Sequence, residues 1–91
     1  MFLDLERRTA VITGASRGIG RAIALALADE GVRVALVARS EANLDRTAAE
    51  IRERGGEAHV IPADLSDWDA ASGVVARATE ALGEAPTIVV L

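Results

Sequence analysis

Gly14, Gly18 and Gly20 stand close together with Ser16 and Arg17 in the stretch Thr-Ala-Val-Ile-Thr-Gly-Ala-Ser-Arg-Gly-Ile-Gly, residues 9–20. The stretch opens as an apolar strand, breaks at Thr13-Gly14, and enters a helical pattern at Gly18-Ile19-Gly20. Strand, glycine-rich turn and helix together aim bare backbone N–H groups and the positive end of a helix dipole at one spot. The chemistry this suits is the binding of an anion. In an alternating α/β chain that anion is usually a nucleotide pyrophosphate. One glycine permits the tight turn, one lets the backbone approach the phosphates, and one lets the helix start close against the sheet. The alternative is an ordinary strand-to-helix turn with glycines for geometry alone.

A second group of residues bears on which nucleotide. The second apolar run ends Val37-Ala38-Arg39-Ser40. A protein that reads an unmodified adenosine ribose places a carboxylate at the end of that strand. Here an arginine stands there instead. Arg17 inside the turn and Arg39 after the second strand would converge on a ribose 2′-phosphate, and Ser16 and Ser40 offer hydroxyls to the ribose or a phosphate. Two partly exposed charge-assisted contacts favour the phosphorylated form by about 2–4 kcal/mol, a factor of roughly 30 to 1,000. Solvated surface arginines, with serines serving as turn and cap, are the competing reading.

The remaining reactive residue types are sparse. There is no cysteine, so disulfide and thiol chemistry are excluded. The one histidine, His59, lies in a strand pattern with no partner at metal-ligand spacing. No metal site is expected. There is no tyrosine, and all ten basic residues are arginine.

The elements that must hold these residues follow from the apolar pattern. Strands are expected over 9–13, 32–38, 59–62 and 87–91, and helices over 18–30, 41–54 and 66–82. Ile19, Ile23, Ala26 and Leu27 form the apolar stripe of the first helix, Leu44, Ala48 and Ile51 that of the second, and Ala71, Val74, Ala78 and Leu82 that of the third. Gly31 and Gly55-Gly56 terminate the first two helices, Ser40 caps the second, and Ser66 with Asp67 opens the third. Phe2, Leu3 and Leu5 in the lead-in are expected to pack on the sheet edge or the first helix. The order βαβαβαβ with short connections predicts a parallel sheet in the order 3-2-1-4, the first part of a doubly wound Rossmann-type α/β fold. Residues 1–91 are one partial domain.

Bulk properties narrow the classes further. The chain is 51% hydrophobic with a net charge of −4, which argues against disorder and against nucleic-acid binding. Its longest apolar run, 22–28, is too short to span a bilayer. The lead-in 1–8 mixes acids with apolar residues and does not read as a signal peptide, so a cytoplasmic location is expected.

The turn Thr13-Gly14-x-x-x-Gly18-Ile19-Gly20 resembles the glycine motif of the short-chain dehydrogenase/reductase family, and the resemblance extends over the whole chain. It implies a nicotinamide cofactor, here NADP, since NADP-preferring members carry basic residues in the loop and after the second strand. It implies that the Ile19 N–H faces the pyrophosphate. Asp64-Leu65 is similar to the family pair that meets adenine, the carboxylate accepting from the amino group and the next N–H meeting a ring nitrogen. Chemistry in this family belongs to a Tyr-x-x-x-Lys pair and an upstream serine, all beyond the fourth strand. With neither tyrosine nor lysine present, no catalytic residue is assigned. The resemblance thus implies the N-terminal, cofactor-binding third of a ketoreductase-like oxidoreductase. Such a protein acts on a small carbonyl or alcohol substrate and is commonly oligomeric, and this segment alone would be inactive. A complete non-catalytic nucleotide-binding module, or a structural or engineered half-domain assembling through its open strand edge, are the alternatives.

Overall fold

A computed structural model describes residues 7–16, 18–64 and 68–90, with the side chains of 68–71 excepted. Seven elements alternate: β1 (Thr9–Thr13), α1 (Gly18–Asp29), β2 (Arg33–Ala38), α2 (Glu41–Glu53), β3 (Ala58–Pro62), α3 (Trp68–Leu82) and β4 (Ile88–Val90). The four strands form one sheet in the order β3-β2-β1-β4, every pair parallel. Val11 lies opposite Ala35 on one side and Val89 on the other. This is the expected Rossmann-like α/β arrangement.

The two faces of the sheet bury alternate residues, as the period of a strand requires. Ala10, Ile12, Val34, Leu36 and Ala58 pack with Ala24 of α1 and with Leu44, Ala48 and Ile51 of α2. Val11, Ala35, Val37 and Ile61 pack with Val74, Ala78 and Leu82 of α3. The sheet is therefore covered on both sides, which is why β1 and β2 read as unbroken apolar runs.

The helix ends follow from local chemistry. The Ser40 hydroxyl accepts from the Asn43 N–H at 3.3 Å and starts α2. After α1 the chain turns through Gly31 at φ 86°. The Gly31 N–H donates to the Ala28 carbonyl at 3.0 Å, and the Val32 N–H to that of Leu27 at 3.1 Å. Gly55, also at φ 86°, and Gly56 repeat the pattern on the carbonyls of Arg52 and Ile51 at 3.0 and 2.9 Å. Both are Schellman ends, for which a left-handed glycine is the ordinary solution. Because the Val32 N–H closes α1, β2 begins at Arg33, one residue later than the apolar pattern suggests.

The stripe expected on α1 is corrected. Ala24 is its fully buried residue, Ile23 and Leu27 are half-buried, Ala26 is exposed, and Ile19 is 80% exposed. The helix approaches the sheet through Gly20 and Ala24, and this close approach leaves Ile19 at the open end beside the turn. The stripes of α2 and α3 are as expected at every described position. Residues 1–6, Ser66, Asp67 and the Ala71 side chain lie outside the described residues.

Candidate functional site at the glycine turn

Order in the sheet brings the three sequence-derived groups to one edge. The carboxyl ends of β3, β2 and β1 are neighbours, and from them leave Asp64, Arg39-Ser40 and the turn 14–20 respectively. Ligands of open parallel sheets bind along this edge.

Each glycine in the turn has a separate geometric task. Gly14 and Gly18 hold φ of 65° and 63°, a region costly for other residues, and a Cβ on either would meet open space. Gly20 has no such backbone demand. A Cβ built there would lie 2.2 Å from the Gly14 carbonyl oxygen, so α1 begins in contact with the backbone it has just left. The first turn of α1 contains no acidic residue, so nothing in that turn offsets its positive dipole end.

The turn is anchored from below. Ala15 is fully buried, and its N–H donates to the Val37 carbonyl at 3.3 Å. Its own carbonyl accepts from the hydroxyl of Thr47, a fully buried residue of α2, at 3.1 Å. The Thr47 hydroxyl also lies 3.4 Å from the Asn43 carbonyl one turn back. Arg21 of α1 pairs with Glu50 of α2 and joins the two helices above the same sheet face. On the other flank the Thr13 hydroxyl donates to the Val90 carbonyl at 3.2 Å, fixing the end of β1 to β4. Sequence reading did not find Thr47 or Thr13. A threonine inside the apolar stripe between Leu44 and Ile51 is the signal that points to Thr47.

The remaining expected site residues are placed as follows. Ser16 is half-buried in the turn, and Ile19 stands exposed at the start of α1. Arg39 is exposed, and its guanidinium has no hydrogen bond or ion pair among the described residues. By contrast Arg54 pairs with Asp29 at 3.0 Å and Glu50 at 2.9 Å, and Arg33 pairs with Glu84. Ser40 is committed through its oxygen to the cap of α2, but its hydroxyl proton is free to be donated elsewhere. Asp64 is half-buried just beyond β3, where the Ala63 N–H donates to the Ala38 carbonyl at 3.0 Å. Arg17 and Leu65 lie outside the described residues. His59 points its Nε2 to Glu57 at 2.8 Å, a surface pairing.

A cleft of about 420 Å³ lies at the opposite edge of the sheet, lined by Arg7, Gly31, Arg33, Arg54 and Glu57 among others. Its arginines are largely neutralised by neighbouring carboxylates, and it has no part in the turn.

Comparison with known proteins agrees with this geometry. The profile of the short chain dehydrogenase family matches residues 8–90. A short chain dehydrogenase from Pseudocercospora fijiensis is 40% identical over 86 residues, covering 94% of this chain and 28% of the relative. An uncharacterised oxidoreductase of Mycobacterium tuberculosis is 39% identical over 92 residues, covering 98% and 35%. Among solved structures, a metagenomic short-chain oxidoreductase in complex with NADP superposes with a TM-score of 0.85 at 41% identity, over 94% of this chain and 39% of that one. The hydroxysteroid dehydrogenase of Escherichia coli gives 0.88 at 29% identity, over 93% and 36%. The chain thus spans about a third of the length of the curated relatives it matches.

Proposed function

The chain belongs to the short-chain dehydrogenase family, and from that membership we propose that it is the NADP(H)-binding part of an oxidoreductase acting on a carbonyl or alcohol. The turn formed by Gly14, Ser16, Arg17, Gly18, Ile19 and Gly20 takes the pyrophosphate. Arg39, with Ser40 and Arg17, takes the 2′-phosphate, and Asp64 with Leu65 takes the adenine. When bound, the cofactor supplies or accepts a hydride. The residues of this chain orient it and contribute no catalytic group, since the sequence has no tyrosine and no lysine.

The single observation that carries the reading is the state of Arg39. It is an exposed guanidinium with no partner among the described residues, one strand away from the glycine turn. No carboxylate ends β2 in its place. An unneutralised cation there favours an anion on the ribose over a bare hydroxyl pair. The fit of the turn itself is supported by Gly14 and Gly18 in left-handed conformations, where a Cβ would meet no neighbouring atom within 4 Å among the described residues.

Titration of the 91-residue chain with NADPH and NADH tests this. NADPH binding tighter by about 30-fold or more is expected. Equal affinities, or tighter NADH, remove the reading. The substrate of the whole protein as a small carbonyl or alcohol, a homo-oligomeric state, and a cytoplasmic location are part of the same proposal, supported by family membership. No helix of the described residues is long and apolar enough to cross a membrane.

A further inference from the structure

The buried hydroxyl of Thr47 acts on the phosphate-facing side of the turn without touching it. Ala15 and Ser16 share one peptide plane, and no peptide bond among the described residues is cis. In a trans plane the carbonyl and the following N–H point in opposite directions. The Ala15 carbonyl is drawn inward to Thr47 Oγ1 at 3.1 Å, on a residue with no exposed surface. The Ser16 N–H therefore points away from α2, toward the open side of the turn. It donates to no other group among the described residues. The Ala15 N–H, held by the Val37 carbonyl, prevents the residue from rotating as a whole.

We propose that Thr47 is a positioning residue that orients the Ala15–Ser16 peptide so that the Ser16 N–H is presented to the cofactor diphosphate. The proposal rests on the cofactor reading above. It separates the roles of the two halves of the site. The diphosphate end depends on Thr47, while the 2′-phosphate end, held by Arg39 with Ser40 and Arg17, does not.

Two partial ligands distinguish the ends: ADP carries the diphosphate without the 2′-phosphate, and adenosine 2′-monophosphate carries the reverse. In Thr47→Val, a near-isosteric change that removes the hydroxyl, affinity for NADPH and ADP is expected to fall about tenfold, the scale of one hydrogen bond to a charged acceptor. Affinity for adenosine 2′-monophosphate should stay within about twofold of wild type, a shift well under the tenfold unit of 1.4 kcal/mol. Thr47→Ser should restore ADP binding. Equal losses for both ligands, or no rescue by serine, overturn the proposal, because a merely structural role weakens the whole site. If Thr47→Val does not fold, the wild-type chain decides. On saturation with ADP the Ser16 amide resonance must shift strongly, and an unmoved Ser16 amide with ADP bound overturns the assignment. A wild-type chain that binds none of these ligands removes the cofactor reading itself. A chain that binds them all, with Thr47→Val unchanged, removes this proposal alone.

Discussion

The Gly14 carbonyl oxygen occupies the space where a Gly20 side chain would begin, 2.2 Å from an ideal Cβ. Contact between backbone and backbone leaves no flexible atom to give way. Gly20→Ala must push α1 off the end of β1, and overpacking of this kind costs about 1–3 kcal/mol. Gly14→Ala and Gly18→Ala meet no atom and carry only the left-handed backbone penalty, about 1–2 kcal/mol. Gly20→Ala is therefore expected to lose cofactor affinity more severely than Gly14→Ala at equal loss of melting temperature. Isothermal titration of the three variants, beside thermal melts, checks the order.

Charge reversal at the end of β2 tests the 2′-phosphate assignment. Arg39→Asp places a carboxylate where it can accept from a free ribose hydroxyl and repel a phosphate. The NADPH/NADH affinity ratio should invert. Because Arg39 is exposed and has no partner among the described residues to lose, the melting temperature should barely move. An unchanged ratio means that the guanidinium points elsewhere.

Ser40 carries a cap and is assigned a ligand contact, and two substitutions separate them. Ser40→Ala removes the acceptor for the Asn43 N–H, costing about 1 kcal/mol. In a domain of this size that lowers the melting temperature by about 4–8 °C. Ser40→Gly costs only a few tenths of a kcal/mol. If the hydroxyl also donates to the 2′-phosphate, both variants lose NADPH affinity by a similar factor despite their different stabilities. Affinity that merely follows stability would leave the cap as its whole role.

β4 forms one outer edge of the sheet. Val89 of β4 is 54% exposed, and Val75 of α3 is 51% exposed. The stretch Ile88-Val89-Val90 carries no charge or proline to discourage strand addition. Concentration-dependent self-association of the 91-residue chain is expected in sedimentation velocity, and Val89→Lys should reduce it. A single monomer peak at all concentrations would contradict the expectation.

Much of this was legible because the relevant signals are local. β1 and β2 announce burial on both faces by apolar continuity, and Gly31 and Gly55 mark helix ends through one dihedral each. The stripe of α2 stands out because Leu44, Ala48 and Ile51 are set among charges. α1 defeated the same method. Residues 22–28 are all alanine, isoleucine or leucine, so periodicity has no polar face to contrast with. The residue that decides which side is buried is Gly20, which has no side chain to count. Thr47 was hidden for another reason. A hydroxyl in a helix declares a possible hydrogen bond but not its partner, and Ala15 lies 32 positions away.

The pairing of β1 with β4 has a consequence for the order of assembly. The Thr9 hydroxyl donates to the Ala85 carbonyl across 76 positions, and that of Thr13 to Val90 across 77. During synthesis β1 emerges well before β4, yet it becomes an interior strand only once β4 has left the ribosome. Contacts of such long range are formed slowly. The nascent phosphate turn therefore stands on a strand with one open margin until β4 has emerged, and the Thr13 anchor beside it forms only then.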